Sequence, residues 1–328
     1  MPSLTTGIRG LAAVLLVAAF ALPARAAAKD ELTLVLDWFL NPDHAPIVIA
    51  QERGYFADAG LEVTWQEPPI RQSAQAGRRR QGGRRRVATS RTCTCRWIRD
   101  CRWCAWARWW HPLTLADRAG RRARSTASPI WKARRSAYSV GGFEETMLKV
   151  MLRQEGVDPS TVELVNVNFA LSQSLLSGRV DAIVGGFRNF EVNQLDLKGA
   201  DARVFYPEAH GVPAYDELIF IAHREQMDKG KLRRFLDAVE RGTQYVVNHP
   251  KASWEIFREG RPDVQNALNE RAFPDTIPRF ALRPAALDTA RYQRFAAFLK
   301  AQGLVETVPP VDRFAVELPP GEPAAATR

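Results

Sequence analysis

Hydrophobic and polar positions along this chain follow two periods in alternation, one of strands and one of helices. Leu32 to Leu36 is a short apolar run rich in branched residues, which predicts a buried strand ending in Asp37-Trp38. A helix follows: Asp43 and His44 lead into Pro46 in the first turn, apolar residues recur at Ile47, Ala50 and Phe56, and Gly60 stands at the C-cap. Leu61 to Trp65 then alternates as a strand. Strand, helix and strand make one βαβ unit, the signature of a mostly parallel sheet.

A second such region starts at Tyr138-Ser139-Val140. Gly141-Gly142 turns it into a helix with Phe143, Met147, Leu148, Met151 and Leu152 on one face, closed by Gly156. Val162 to Val167 reads as a strand and Leu171 to Leu176 as a helix closed by Gly178. Ala182 to Val184 reads as a strand running into Gly185-Gly186, and Leu218 to Ile221 as a further strand. From Lys231 the chain turns helical, with Leu232, Phe235, Leu236, Val239, Tyr245 and Val246, until Pro250 breaks it, and another helix spans about Thr289 to Leu299. There is no internal repeat.

The first 26 residues read as an address, since Arg9 precedes an apolar run from Leu11 to Leu22 and Ala24-Arg25-Ala26 supplies a small-x-small cleavage site. That run is about 12 residues, short of the roughly 20 that span a bilayer, so a signal peptide and an exported, periplasmic protein are expected.

Charge changes the picture in one place. The net charge of +10 suggests nucleic acid until its position is asked. Residues 71 to 137 hold 18 arginines and one lysine against Asp100 and Asp117, a local charge of +17, and the rest of the chain is mildly acidic at −7. All four cysteines and six of the nine tryptophans fall in the same window. A basic, metal-stapled nucleic-acid module through residues 71–137 is one reading, but Cys93, Cys95, Cys101 and Cys104 match common zinc spacings poorly. Disulfides among the four are another. Neither explains Trp97, Trp103, Trp106, Trp109 and Trp110 among arginines with no period of strand or helix.

The genetic code supplies a simpler account. Trp and Cys codons both begin TG, so a frame starting one nucleotide earlier reads NTG at each, which encodes only Leu, Met or Val. Thr-Cys-Thr-Cys-Arg-Trp from Thr92 can then be respelled Leu-His-Leu-Gln-Val. The arginine blocks Arg78 to Arg80 and Arg84 to Arg86, read one nucleotide later as GNN codons, spell a glycine turn and a buried strand. A frameshifted segment at about 71–137 is therefore expected. An α/β sheet needs apolar inner strands, so the window as written is expected to be irregular or exposed and to leave its sheet incomplete.

Leu36-Asp37-Trp38-Phe39 with Asn41-Pro42-Asp43-His44-Ala45-Pro46, then Gly54-Tyr55-Phe56 and Ala59-Gly60-Leu61, resembles the start of the pyrimidine thiamine-precursor-binding family. Tyr138-Ser139-Val140-Gly141-Gly142-Phe143-Glu144, Val184 to Glu191 and His210 to Glu217 continue the likeness, which covers roughly two thirds of the chain. The Gly-Tyr-Phe element is shared with sulfonate and nitrate receptors. The resemblance implies an α/β, two-lobed periplasmic-binding-protein fold, each lobe a mostly parallel sheet flanked by helices. Residues 30–110 plus 215–315 would form one lobe and 115–214 the other, with 316–328 a loose tail. It further implies the substrate-binding component of an ABC importer, partnered by a permease in the inner membrane. The ligand would be hydroxymethyl-aminopyrimidine or its formylated aminomethyl analogue, with no cofactor and no nucleic acid.

An aminopyrimidine is a flat ring with a donor/acceptor edge, so its cleft should offer aromatic faces and a carboxylate or amide. Trp38, Phe143, Phe187 and Tyr215 are the stacking candidates, and Asp37, Asn189, Glu191, Asp216 and Glu217 could supply the polar edge. Each aromatic is also a plausible core residue, and each polar residue a cap or ion-pair member. Gly141 and Gly142 precede a helix and can offer backbone N–H groups to a formyl or phosphate oxygen, or simply make the turn. His44 raises the enzyme question, because fungal relatives use a histidine as an atom donor. Helix entry is its default role, no nucleophile–base pair emerges, and a binding protein is expected. A receptor of the same fold for a sulfonate, nitrate or other small solute is the alternative.

Overall fold

The structure is a computed structural model that describes residues 29–67, 86–91, 103–109, 113–118 and 135–318, with the main chain only between 86 and 118. Among the described residues there are ten strands: β1 (Asp30–Val35), β2 (Leu61–Gln66), β3 (Arg86–Arg91), β4 (Trp103–Trp109), β5 (Leu113–Arg118), β6 (Arg135–Tyr138), β7 (Glu163–Asn166), β8 (Ala182–Phe187), β9 (Ala202–Phe205) and β10 (Leu218–His223). The helices are α1 (Ala45–Glu52), α2 (Tyr55–Asp58), α3 (Phe143–Gln154), α4 (Leu171–Leu176), α5 (Glu191–Leu197), α6 (Lys229–Asn248), α7 (Pro250–Arg258), α8 (Ala267–Thr276) and α9 (Thr289–Ala301).

These strands build two five-stranded sheets, ordered β2-β1-β3-β10-β4 and β7-β6-β8-β5-β9. In the first, β1 lies parallel to β2 and β3, and β10 runs antiparallel to β3 and β4. In the second, β6 lies parallel to β7 and β8, and β5 runs antiparallel to β8 and β9. Each sheet is thus parallel on one side and antiparallel on the other, because β5 and β10 are the first strands after the chain passes from one sheet to the other and they enter in reverse. The α/β expectation holds, and the predicted βαβ unit is the β1–α1–α2–β2 segment.

The window of arginines requires a correction. Residues 71–137 were expected to be irregular or exposed and to leave their sheet incomplete; in the described part of that window β3, β4, β5 and most of β6 are strands, and β3 and β5 are inner ones. Main-chain pairing needs only aligned N–H and C=O groups, and β1, β10, β8 and β9 supply those ladders whatever side chains β3 and β5 carry. Residues 71–85, 92–102 and 119–134 lie outside the described residues, as does the expected signal peptide at 1–26. At the other end the chain stays docked to Leu318, which is buried and whose carbonyl accepts from Arg233 at 3.2 Å. Residues 316–318 are therefore not the start of a loose tail, and 319–328 lie outside the described residues.

The helices pack as their apolar stripes require. Phe56 of α2 stacks on Phe235 of α6 with ring centroids 5.3 Å apart, and Phe220 of β10 meets Phe235 edge-on at 5.2 Å. α6 lies so close to α1 at Gly242 that any Cβ there would overlap the carbonyl oxygen of Pro46. Outside the arginine window, four elements escaped the sequence pattern: β9, α5, α7 and α8. Each is short or weakly periodic, and α8 carries Pro274 inside it, a residue normally read as a helix break.

A candidate ligand site where the two sheets meet

Ligands of open α/β sheets lie beyond the carboxyl ends of the strands, and two such ends converge here. Asp37 and Trp38 follow β1 of the first sheet, and Phe187 ends β8 of the second. The rings of Trp38 and Phe187 stand 6.3 Å apart. Phe169 stacks near Trp38 at 5.8 Å, Phe190 meets it edge-on at 5.2 Å, and Phe39 lies 4.3 Å away. Phe39 is 41% exposed and marks the rim of this cluster. Phe39, Phe169 and Phe190 were not among the candidates, although Phe39 and Phe190 each sit within a quoted motif.

Phe143 and Tyr215 belong to a second aromatic group. Tyr215 stacks on Phe295 of α9 at 4.6 Å and 12°, and Phe143 packs edge-on against both, at 5.4 and 5.8 Å. One face of Tyr215 is thus covered by the protein. Asp216 beside it accepts from Arg291 at 2.6 Å, a pair that ties this segment to α9, and Glu217 is buried.

Polar groups around Trp38 are buried and interlocked. Asn41 caps the turn Pro42–His44, its Oδ1 accepting from the Asp43 N–H at 2.9 Å. The Asn41 N–H donates to Nδ1 of His44 at 3.3 Å, which leaves Nε2 to face Asp37 Oδ1 at 3.1 Å. Burial opposes charge on His44, yet the hydrogen bond to Asp37 and the fields of Asp37 and Asp43 outweigh it and raise its pKa above the ordinary value. A raised folded-state pKa means stability that is complete below the unfolded value and lost as pH rises through the folded one. The stability difference between the wild type and His44→Gln is therefore expected to be largest below the ordinary imidazole pKa of about 6.5 and to shrink as pH rises above it. Urea unfolding on both sides of that value measures it, and a difference that stays constant would contradict the pairing.

Glu191 opens α5, and its Oε2 accepts from the Phe187 N–H at 2.6 Å. Asn189, between them, is fully buried. Its Nδ2 donates to Asp43 Oδ1 at 2.6 Å and to Thr276 Oγ1 at 2.8 Å.

Gly141 and Gly142 make the turn from β6 to α3, with Gly142 at φ 88°. The carboxylate of Glu144 folds back over this turn, accepting from the N–H groups of Ser139 and Val140 at 2.7 and 2.9 Å. That capture ends the strand at Tyr138, earlier than its sequence suggested. Gly185 is an extra residue in β8 opposite β5, at φ 90°, and any Cβ there would overlap the Glu144 carboxyl group. Glu145 in the same turn of α3 bonds the Tyr138 hydroxyl and, with burial, raises its pKa. Two carboxylates thus already occupy the surroundings that an anion would seek.

Among the described residues no group of three or more His, Cys, Asp or Glu is placed to hold a metal ion, and no helix is long and apolar enough to cross a membrane. Cys93, Cys95 and Cys101 lie outside the described residues.

Comparison with known proteins decides the family. A family model described as NMT1/THI5 like matches residues 41–78 and 130–253. A protein of Haemophilus influenzae named for thiamine biosynthesis is 36% identical over 294 residues, 89% of this chain and 93% of its own length. The chain belongs to the NMT1/THI5-like family. A formylaminopyrimidine-binding protein of Halalkalibacterium halodurans is 28% identical, covering 76% of each chain. A 4-amino-5-hydroxymethyl-2-methylpyrimidine phosphate synthase of Legionella pneumophila is 21% identical over 79% of this chain and 82% of its own. Among solved structures, a Candida albicans protein described as having the generic periplasmic binding protein fold superposes with a TM-score of 0.64 at 14% identity, covering 90% of this chain and 99% of its own. The alkanesulfonate-binding protein of Xanthomonas axonopodis gives 0.62 at 14% identity, over 88% and 99%. The family member described here therefore has the periplasmic-binding-protein fold.

Proposed function

We propose that this chain is the exported binding component of an ABC importer, capturing hydroxymethyl-aminopyrimidine or its formylated aminomethyl analogue. Two lobes, residues 30–110 plus 215–315 and residues 115–214, close about a hinge on the ligand and present the closed form to an inner-membrane permease. The observation that carries this reading is the meeting of Trp38 and Phe187 at 6.3 Å beside buried Asp37, Asn189 and Glu191. Those groups are what a flat ring with an amino-bearing edge requires. The 28% identity to a formylaminopyrimidine-binding protein supports the same ligand class.

A sulfonate or nitrate receptor would need cationic or free N–H groups at its anion. Glu144 on the Ser139 and Val140 amides, with Glu145 beside it, disfavours that choice. A receptor is also preferred to a synthase, since the relative named for pyrimidine binding is more similar, at 28%, than the Legionella synthase at 21%. The test is calorimetry of the purified mature chain with hydroxymethyl-aminopyrimidine, taurine and nitrate. Binding of the pyrimidine alone is expected. Binding of taurine or nitrate in its place, or conversion of the pyrimidine during the titration, would overturn the reading.

A further inference from the structure

Asn189 is held by two neighbours that can only accept. The Asp43 carboxylate, 2.6 Å from Nδ2, carries no hydrogen when ionised. Thr276 has one hydroxyl hydrogen, and it goes to the Ala272 carbonyl at 2.7 Å, so the oxygen facing Asn189 at 2.8 Å accepts. Both hydrogens of Nδ2 are thereby used, and the amide cannot be turned over without setting its oxygen against the Asp43 carboxylate. The remaining atom, Oδ1, is buried and accepts from no donor among the described residues. A buried acceptor without a donor destabilises the fold, and a bound N–H relieves that cost.

The three residues come from distant parts of the chain. Asp43 follows β1 of the first sheet, Asn189 follows β8 of the second, and Thr276 ends α8. The amide's direction is therefore set only once the two sheets have come together. Asn193 reinforces the arrangement, its Nδ2 donating to the Asn189 carbonyl at 2.9 Å and to Asp275 Oδ2 at 2.7 Å. In sequence Asn189 stands between Phe187 and Phe190, two of the four rings that pack on Trp38.

We propose that Asp43 and Thr276 are positioning residues that lock the Asn189 carboxamide as an acceptor, so that the site selects a ring bearing an amino donor over its oxo counterpart. This deepens the pyrimidine reading and rests on it. A 4-oxo ring would bring a carbonyl oxygen to Oδ1, leaving two acceptors opposed, and the locked amide has no means of turning its hydrogens toward it. Discrimination against a ligand lacking the required hydrogen-bonding group reaches several orders of magnitude in well-built sites.

The experiment compares affinities of the full mature chain for hydroxymethyl-aminopyrimidine and its 4-oxo analogue by calorimetry. The wild type is expected to prefer the amino compound by about 100-fold or more. In Asp43→Asn, residue 43 can donate to an inverted Asn189, so the preference is expected to fall to about 5-fold or less. A role in packing alone would weaken both ligands equally and leave the ratio unchanged, which would overturn the proposal. The wild-type ratio is informative even if the variant fails to fold. Equal affinity for both rings refutes this inference and leaves the receptor reading intact, whereas binding of neither ring refutes the receptor reading and this inference with it.

Discussion

A chain with its reading frame restored between residues 71 and 137 is expected to resist unfolding and proteolysis far better than the chain as written, and to bind the pyrimidine more tightly. The positions involved are demanding ones. β3 lies between β1 and β10, and β5 between β8 and β9, so both are inner strands of their sheets. Inner strands of α/β sheets are ordinarily apolar on both faces, yet the window that contains them holds 18 arginines and two acids. An unpaired buried charge costs several kcal/mol, against a total stability of about 5–15 kcal/mol for a domain. Two or three such charges on inner strands would consume that margin. Sequencing the nucleotides of codons 71 to 137 tests the premise, and urea unfolding with limited proteolysis of both chains tests the consequence. Equal stability and equal affinity of the two forms would show that the window is native and would revive a role for its basic residues.

Replacing Trp38 with alanine is expected to cost about 3–5 kcal/mol of stability, the usual range for deleting a buried aromatic. Its ring is the centre of the cluster that joins the two sheets, touching Phe39, Phe169, Phe187 and Phe190. The same substitution removes the stacking face offered to a ligand, so pyrimidine affinity should fall by about 100-fold or more. Trp38→Phe separates the two effects, because a smaller ring keeps an aromatic face and part of the packing. Its affinity is expected to remain within about 10-fold of the wild type. Unchanged affinity in Trp38→Ala, at a protein concentration where the variant is folded, would remove Trp38 from the site and leave it a core residue.

Much of the candidate site was legible before the fold was known. Asp37, Trp38, Phe187, Asn189 and Glu191 stood in motifs at strand ends, and the structure brings the rings of Trp38 and Phe187 to 6.3 Å and Asn189 onto Asp43. Phe39 and Phe190 were equally readable, lying within the same motifs. Phe143 and Tyr215 were grouped with Trp38 by chemistry, whereas the structure pairs them with Phe295, a contact no local pattern signals. Asp216 and Gly141-Gly142 were read as ligand groups on the same grounds. In the structure Asp216 pairs with Arg291, and the carboxylate of Glu144 takes the N–H groups of Ser139 and Val140, just before the two glycines.

What the sequence determined by itself is whatever depends on near neighbours. Helical periodicity in Phe143 to Leu152 and in Leu232 to Val246, strand runs at Leu32 and Val162, and glycine at positive φ after helices are settled within a few residues, where local sterics and burial patterns act. Tertiary structure decided the rest. Asn189 meets Asp43 across 146 residues and Thr276 across 87, and Gly185 in β8 is required by the Glu144 carboxylate, which reaches it from α3. The direction of an amide, the partner of a carboxylate and the face of a ring left for a ligand are set by whichever groups packing brings within about 3 Å. Those groups are chosen by how two sheets close on each other, which no stretch of sequence specifies alone.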